Sequence, residues 1–279
     1  MHKKWVSVFI PDSFLSETTD FKIKTSKIGV IGRALAVFNV NQVIVYKELS
    51  NNSDTVIERN RRDSDFMVEI LDFMNTPQYL RKRAFPIKSE LKHVGILPPL
   101  RTPHHPTEIA EVGDYRQGFT VKRTKKGTFV DIGMEDLAFC KEQLSVNKIF
   151  SFKVIKLAKE VIVTPDEPDD VYWGYKTLST HKSLKNSLKL VNPDLVIETT
   201  RYADTINSIF NELESKIKAT ENIAILFGGP YSSLDENLES SHWDSVKVNI
   251  VPSQGTETVR TEEAVISTLA IFNILVNFD

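Results

Sequence analysis

The chain has 279 residues, of which 41% are hydrophobic and 26% charged, and this mixture excludes an intrinsically disordered protein. Its formal net charge is only −2, and Cys140 is its single cysteine, so no intramolecular disulfide can form. The N-terminus lacks the apolar core of a signal peptide, and the most apolar segment, 265–276, is too short to span a bilayer. We therefore expect a soluble protein of the reducing cytoplasm, with one large or two ordinary domains and no membrane partner.

The charge is distributed unevenly along the chain. Residues 78–126 contain eleven Lys and Arg against four Asp and Glu, a local balance of +7 that leaves −9 on the remainder. A basic region on an otherwise acidic protein is typical of a surface that binds phosphate backbone. An ordinary solvated surface explains the same composition equally well.

The first part of the chain, about 4–100, has an α/β pattern. The apolar run 5–10 predicts a buried strand, and the β-branched run 43–46 predicts a second one. Between them, Ile31 and Leu35 lie one helical turn apart. A second amphipathic helix is indicated by the spacing of Phe66, Ile70, Phe73 and Met74.

The second part, about 101–167, has closely spaced short strands separated by glycine turns. Strands are predicted at 118–123, 128–132, 149–157 and 161–163. This pattern favours a small β-barrel inserted between two α/β segments. The Pro- and Asp-rich run 165–170 is typical of the linker that returns to the α/β part.

The third part, about 168–279, returns to alternating strands and helices. Buried strands are predicted at 194–198, 222–227 and 246–251. A last helix is indicated by the apolar spacing of Val265, Leu269, Phe272 and Val276. Strands that alternate with helices predict a mostly parallel sheet with helices on its faces.

Two loops at the carboxyl ends of predicted strands are candidates for ligand binding. In the first, 227–230, paired glycines let a ligand approach the backbone closely, although a tight turn would use them as well. In the second, 252–264, Thr261 is a predicted N-cap, with Glu262 and Glu263 at the positive end of a helix dipole. Capping leaves four polar or flexible residues of the loop without explanation: Gln254, Gly255, Glu257 and Arg260.

Several common catalytic motifs are absent from the sequence. It has no G-x-G-x-x-G after a strand, no Walker A lysine motif and no G-x-S-x-G elbow. The adjacent His104 and His105 and the single Cys140 do not have the spacing of a zinc site, so we expect no metal.

Five segments together resemble the archaeal and eukaryotic branch of the SPOUT superfamily of RNA methyltransferases that carries an inserted OB-like domain. They occur in the family's order and extend over nearly the whole chain. They are 31–34 (Ile-Gly-Arg-Ala), 77–82 (Pro-Gln-Tyr-Leu-Arg-Lys), 99–105 (Pro-Leu-Arg-Thr-Pro-His-His), 227–229 (Phe-Gly-Gly) and 252–264.

The resemblance implies a discontinuous α/β domain of the SPOUT type, formed by 1–100 and 168–279, with a C-terminal trefoil knot. An OB-like β-barrel at 101–167 would interrupt it and contact RNA. The resemblance further implies S-adenosylmethionine as cofactor, a homodimer with active sites at the subunit interface, ribosomal RNA as substrate and uridine N3 as the acceptor.

Carried over onto this sequence, the resemblance predicts a cofactor site made of two loops. Its residues would be Phe227, Gly228, Gly229, Pro230, Ile250, Val251, Pro252, Ser253, Gln254, Thr256, Glu257 and Thr258. The family varies after the double glycine, where this chain has Pro230 and Tyr231, so the resemblance does not fix the shape of the first loop.

Arg33 and Arg260 are the candidates to stabilise negative charge on the uracil oxygens, and Glu257 is either a base or a cofactor ligand. A surface ion pair is the alternative for Arg33. The candidates for RNA contact are the cations and the histidine of the basic region: Arg81, Lys82, Arg83, Arg101, His104, Arg116, Lys122 and Arg123. The aromatic side chains of Tyr115, Phe119 and Phe129 would stack on bases or fill the barrel core.

Two other functions remain open. A non-catalytic RNA-binding or ribosome-assembly factor could keep the same fold and the basic region without binding S-adenosylmethionine. A Rossmann-type enzyme that acts on a small molecule is disfavoured, because the glycine fingerprint is missing.

Overall fold

The computed structural model describes residues 4–238 and 243–277. The chain divides into two compact units. The first comprises Met1–Asp72, His93–Pro98 and Tyr175–Asp279, and the second comprises Phe73–Lys92 and Pro99–Gly174. The second unit thus includes residues 73–92, 99–100 and 168–174 in addition to the segment 101–167 expected from the sequence.

The described residues form eleven strands and seven α-helices. The strands are β1 Trp5–Pro11, β2 Gln42–Lys47, β3 Tyr115–Thr124, β4 Gly127–Asp131, β5 Ala138–Cys140, β6 Ile149–Lys156, β7 Ile162–Pro165, β8 Lys176–Ser183, β9 Leu195–Thr199, β10 Asn222–Leu226 and β11 Ser245–Val248. The helices are α1 Phe21–Val37, α2 Asp54–Asn75, α3 Gln78–Ala84, α4 Leu184–Val191, α5 Ile206–Ala219, α6 Leu234–Leu238 and α7 Thr261–Asn277. Two 3₁₀ helices occupy Asp12–Leu15 and Glu90–Ile96.

The first unit is built on a six-stranded sheet in the order β11–β9–β10–β1–β2–β8, and every neighbouring pair is parallel. Parallel strands are covered on both faces, which is why the central strands are continuous apolar runs. Val8, Phe9 and Ile10 of β1 are fully buried, as are Val43 and Ile44 of β2. The predicted mixed α/β fold with a parallel sheet is confirmed.

Helix α1 shows how local sequence fixes a helix start in this unit. The side chain of Asp20 accepts hydrogen bonds from the backbone N–H groups of Lys22 (2.7 Å) and Ile23 (3.2 Å). Such an N-cap satisfies donors that have no partner inside the helix. Farther along, Lys24 forms a buried ion pair with Asp63 of α2, and α1 packs against α7.

Two strands were not predicted, and a third is shorter than predicted. Strand β8 is polar and half-exposed because it lies at the sheet edge, so no apolar run marks it. Strand β5 has only three residues. Strand β11 ends at Val248 rather than Val251, and the residues that follow turn away from the sheet as a loop.

The second unit contains a closed barrel of five strands in the order β3–β4–β5–β7–β6, which confirms the predicted barrel. Its interior is apolar and includes Val130, Ile132 and Phe152. Gly118 of β3 points inward, where a Cβ would lie 2.5 Å from Val130 Cγ1, so only glycine leaves room for this packing.

No helix among the described residues is long and apolar enough to cross a membrane. No group of three or more His, Cys, Asp or Glu side chains in this part of the chain could hold a metal ion.

Candidate functional site

A cavity of about 250 Å³ opens in the first unit where the neighbouring strands β9, β10 and β11 end. The carboxyl edge of a parallel sheet is where open α/β folds bind ligands, because loops and helix N-termini converge there. Seven of the twelve predicted cofactor residues line this cavity: Phe227, Gly228, Gly229, Ile250, Val251, Gln254 and Thr258.

The other five predicted cofactor residues lie in the same two loops but are not among the lining residues. They are Pro230, Pro252, Ser253, Thr256 and Glu257. Ser253 has a positive φ of 57°, a backbone conformation that turns the chain sharply at this point of the second loop.

The first loop packs against two buried side chains, those of Glu48 and Ser13. A Cβ atom on Gly229 would lie 2.6 Å from Ser13 Oγ and would also meet the Glu48 carboxylate, so this position has no room for a side chain. Glu48 is 3% exposed, and Ser13 donates a hydrogen bond to its Oε2. The close approach of Glu48 and Ser13 therefore requires a glycine at position 229.

Glu48 also fixes the course of the loop beyond the glycines. Its Oε1 accepts hydrogen bonds from the backbone N–H groups of Tyr231 (3.0 Å) and Ser232 (2.9 Å). Burial raises the pKa of Glu48, while the hydrogen bonds from Ser13 and Ser232 act in the opposite direction. The same carboxylate thus shapes both ends of the loop.

Asp12 lies beside this network, and its Oδ1 accepts a hydrogen bond from the backbone N–H of Glu48 (3.1 Å). Burial raises the pKa of Asp12 to about 6, and the nearby Glu48 charge adds to the shift. The Tyr46 hydroxyl completes the support by donating to the carbonyl oxygen of Phe227 (2.9 Å). Sequence reasoning missed these residues, although each lies at or just beyond the carboxyl end of β1 or β2.

The second loop is held by side-chain contacts to its own backbone. Gln254 Nε2 donates to the carbonyl oxygens of Thr256 (2.9 Å) and Glu257 (3.0 Å). Arg201, in the loop after β9, donates to the same Glu257 carbonyl (2.6 Å). These bonds tie the second loop to the loop after β9 and give the cavity a defined rim.

Thr268 of α7 lines the cavity and carries an unsatisfied hydroxyl group. It is only 2% exposed, and its Oγ1 has no hydrogen-bond partner among the described residues. Burying a hydroxyl without a partner is costly, so a residue that lines the cavity and carries such a hydroxyl is a candidate partner for a polar ligand atom. Together with apolar walls from Phe227, Val251 and Ala264, it suits a ligand with both a flat apolar part and polar groups.

The rest of the lining was not among the predicted cofactor residues, although three of its residues belong to the candidate loop 252–264. These three are Val259, Thr261 and Ala264, and the other five are Thr199, Thr200, Arg201, Asn249 and Thr268. The loop after β9 could have been found, because it follows a predicted buried strand at the same edge of the sheet. Thr268 could not, because it belongs to the apolar repeat of α7.

The three predicted catalytic residues do not line the cavity. Glu257 and Arg260 are exposed and flank two residues that do, Thr258 and Val259. Arg260 precedes α7, and its backbone N–H donates to Glu263 Oε2 (2.9 Å). Arg260 thus occupies the N-cap position expected for Thr261, which is the first helical residue.

Arg33 lies on the surface of α1 and is half-buried. Val30 and Val37 are one turn before and one turn after it, which places all three on one face of the helix. Both valines are exposed, at 38% and 52%. Arg33 therefore sits in an apolar stripe rather than in the cavity of its own chain.

The predicted RNA contacts divide by exposure. The exposed cations are Lys82, Arg83, Arg101, Lys122 and Arg123. Arg81 is partly buried: its guanidinium donates to the carbonyl oxygens of Thr76 (2.9 Å) and Met74 (3.2 Å) and lies over the Phe73 ring. Its contacts are thus those of a cap on the end of α2.

His104 and Arg116, by contrast, are buried within the second unit. Arg116 is 4% exposed and donates to the carbonyl oxygen of Glu108 (2.5 Å). His104 is fully buried, and its Nε2 bonds to the Asn75 carbonyl (2.8 Å), as does that of His105 (3.0 Å). A phosphate contact needs an exposed cation, so in this structure the two residues serve the fold instead.

Comparison with known proteins gave a consistent result. Residues 5–272 match a family model described as "Putative RNA methyltransferase". The chain is 27% identical to the 28S rRNA (uridine-N(3))-methyltransferase of Drosophila melanogaster, over 95% of this chain and 61% of that protein. It is equally identical to the Homo sapiens protein of the same name, over 95% and 77%. An uncharacterised protein of Halobacterium salinarum is 28% identical over 94% and 96%. The chain thus spans about three fifths of the fly protein's length.

Proposed function

This chain belongs to the RNA methyltransferase family, and on that premise we propose that it methylates ribosomal RNA at uridine N3 with S-adenosylmethionine as donor. The substrate and the acceptor atom follow the names of the fly, human and mouse relatives. Membership in the family by itself requires a methyl donor. The observation that carries the choice of donor is the cavity at the carboxyl ends of β9, β10 and β11, whose lining includes Thr268, a residue with an unsatisfied hydroxyl group.

The residues that line the cavity offer the kinds of chemical groups that S-adenosylmethionine would contact. The glycine loop, residues 227–229, offers backbone groups to a ligand at close range, and Thr268 offers a hydroxyl group. Phe227, Val251 and Ala264 offer apolar surface for an adenine ring. When bound, S-adenosylmethionine supplies an electrophilic methyl group on its sulfonium sulfur.

Methylation at uridine N3 requires removal of a proton and stabilisation of negative charge, and charged residues near the cavity are the candidates for both. Uridine N3 carries a proton at neutral pH, and removing it leaves negative charge on the uracil oxygens. Arg260, exposed beside the second loop, would stabilise that charge, and Glu257 is the candidate to take the proton. Positioning of the base against the donor dominates such a reaction.

We further propose that the protein is a homodimer and that its C-terminal part forms a trefoil knot, as in the SPOUT proteins it resembles. Exposed apolar side chains on the packed helices α1 and α7 support the dimer: Ile23, Val30, Val37, Ile266 and Ile274. Burying such a face against a second copy would remove it from water. Arg33 lies in this face, so a dimer would bring it into the interface, where it could reach the partner's site.

Calorimetric titration of S-adenosylmethionine into the purified protein tests the cofactor assignment. We expect wild type to bind, and Gly229→Ala to bind at least tenfold more weakly, because its methyl group would displace Glu48 and Ser13 from the loop. Gly255→Ala is the matched control, since a Cβ there meets nothing within 4 Å and the residue does not line the cavity.

The opposite result would point to a different function. If folded wild type binds no S-adenosylmethionine, with or without RNA, the chain acts as an RNA-binding factor that keeps the fold of the family.

A further inference from the structure

The second unit has a cleft of its own, of about 680 Å³. One side is formed by α3, with Tyr79, Lys82 and Arg83. The barrel forms the other side, with Phe119 and Val121 of β3, Asp131 at the end of β4, and Asn147 before β6. The cavity at the carboxyl ends of β9, β10 and β11 shares no lining residue with this cleft.

Two aromatic side chains, Tyr79 and Phe119, line the cleft. The Tyr79 hydroxyl donates to the carbonyl oxygen of Gln117 (2.8 Å), and a Cβ on Gly133 would lie 2.5 Å from the tyrosine ring. The ring is therefore fixed at one end by a hydrogen bond and pressed against a glycine along its side. Phe119 points outward because its neighbours Gly118 and Thr120 point into the barrel, and its side chain remains partly exposed.

Charged and amide groups surround these rings. Lys82 is exposed, and Arg83 pairs with Asp131 while 47% of its side chain stays accessible. Asn147, also exposed, has a φ of 58°, and its backbone N–H donates to the Thr120 carbonyl (2.8 Å). This hydrogen bond fixes the backbone at Asn147, and the side-chain amide carries both a hydrogen-bond donor and an acceptor.

These features match one ligand class. Aromatic faces stack with nucleobases, lysine and arginine contact phosphates, and an asparagine amide can pair with a base edge. A folded duplex hides the faces of its bases, so the ligand must be unpaired. We propose that this cleft binds an unpaired nucleotide of the RNA substrate, with the base against Phe119 and Tyr79 and its phosphate at Lys82.

The inference rests on the proposed function, because it assumes that RNA is the substrate. It goes further by placing one unpaired nucleotide in a defined cleft between α3 and the barrel, and by requiring a single-stranded segment in the substrate. The net charge of +7 on residues 78–126, which include α3 and β3, agrees with a polyanionic ligand.

Fluorescence anisotropy with a labelled 16-nucleotide single-stranded RNA, compared with the same sequence as a duplex, tests the proposal. We expect wild type to prefer the single strand, and Phe119→Ala and Lys82→Glu each to weaken that binding at least fivefold. Phe119→Tyr keeps a stacking ring and should bind like wild type. Phe119→Leu keeps apolar bulk without an aromatic face and should bind like Phe119→Ala, which separates stacking from loss of folding.

Matched controls come from β5 and the residue after it on the same barrel. Phe139→Ala removes a partly exposed ring outside the cleft, and Lys141→Glu reverses an exposed charge outside it. Both should bind RNA like wild type. If the cleft variants keep wild-type affinity, if cleft and control variants lose affinity equally, or if wild type does not bind the single strand, the proposal is overturned.

The same preparations are titrated with S-adenosylmethionine. If all variants bind the cofactor and the cleft variants keep wild-type affinity for RNA, the cleft proposal is refuted and the proposed function is not. Absence of cofactor binding in wild type, with or without RNA, refutes the proposed function whatever the affinity for RNA.

Discussion

At the scale of single residues, the informative side chains are those whose polar groups the fold itself leaves incompletely satisfied. The Thr268 hydroxyl is buried without a partner, whereas Thr199, another lining threonine, donates to the Leu226 carbonyl (2.7 Å). This difference makes Thr268 the candidate ligand contact, whereas the hydroxyl group of Thr199 is already satisfied at the sheet edge. No sequence pattern distinguishes the two threonines, because the difference arises from distant parts of the chain.

Thr268→Val should change stability and cofactor affinity in opposite directions. Valine has nearly the same shape and removes a buried hydroxyl without a partner, so the ligand-free protein should gain about 1 kcal/mol or stay unchanged. Loss of a hydrogen bond to the bound donor should weaken S-adenosylmethionine binding by about five- to tenfold. Urea unfolding and calorimetry measure the two effects. A variant that loses stability and keeps its affinity would show that the hydroxyl serves the fold alone.

At the scale of elements, sequence prediction succeeded where apolar residues form a continuous run or an alternating pattern, and failed where a strand shows neither. Strands β1, β2, β9 and β10 are apolar runs because both faces of the sheet are covered, and the sequence predicts each of them. The edge strand β8 and the three-residue β5 lack such a run. The glycine loop was visible in the sequence, but its support by Glu48 joins residues 181 positions apart and has no local signal.

The histidine pair joins elements of the second unit and should make that unit sensitive to acid. Burial lowers the pKa of His104 from 6.5 to about 3 and that of His105 to about 4. The unfolded chain therefore binds protons below pH 6.5 that the folded unit resists. The resulting stability is fully present above pH 6.5 and is lost as the pH falls toward the folded values, by about 2 kcal/mol for His104 at pH 5.

Trp173 packs beside His104, with ring centroids 5.9 Å apart, and its fluorescence reports unfolding of this unit. With Trp5 and Trp243 replaced by Phe, urea should unfold the unit at lower concentration at pH 5 than at pH 7. A His104→Gln, His105→Gln double variant should lose most of this pH dependence, even if it is less stable at both values. Equal pH dependence in the two proteins would contradict the assignment of neutral buried histidines.

At the scale of the whole molecule, composition and alternating elements were enough to predict an α/β fold with an inserted barrel. The exposed apolar stripe on α1 was not predicted. The spacing of apolar residues in the sequence does not distinguish a helix face that packs in its own chain from one that packs against a second copy. The dimer and the knot came from family resemblance. The dimer is a property of the assembly, whereas the knot is a property of the path of one chain.

Val37→Arg tests the dimer, because it places a charge in the stripe at a residue that is 52% exposed in the single chain. We expect wild type to sediment as a dimer and the variant to shift toward the monomer without loss of helix content. Ile155→Arg, at a 49% exposed apolar residue of the barrel, should leave the assembly unchanged. A monomeric wild type at micromolar concentration would refute the dimer.

We propose that this chain methylates uridine N3 of ribosomal RNA. The most direct measurement is mass spectrometry of nucleosides from ribosomal RNA, lacking the modification, that was incubated with the protein and S-adenosylmethionine carrying a trideuterated methyl group. The account predicts trideuterated 3-methyluridine with wild type and little of it with Gly229→Ala. A labelled nucleoside other than 3-methyluridine would contradict the acceptor, and no labelled nucleoside from a protein that binds the cofactor would contradict ribosomal RNA as the substrate.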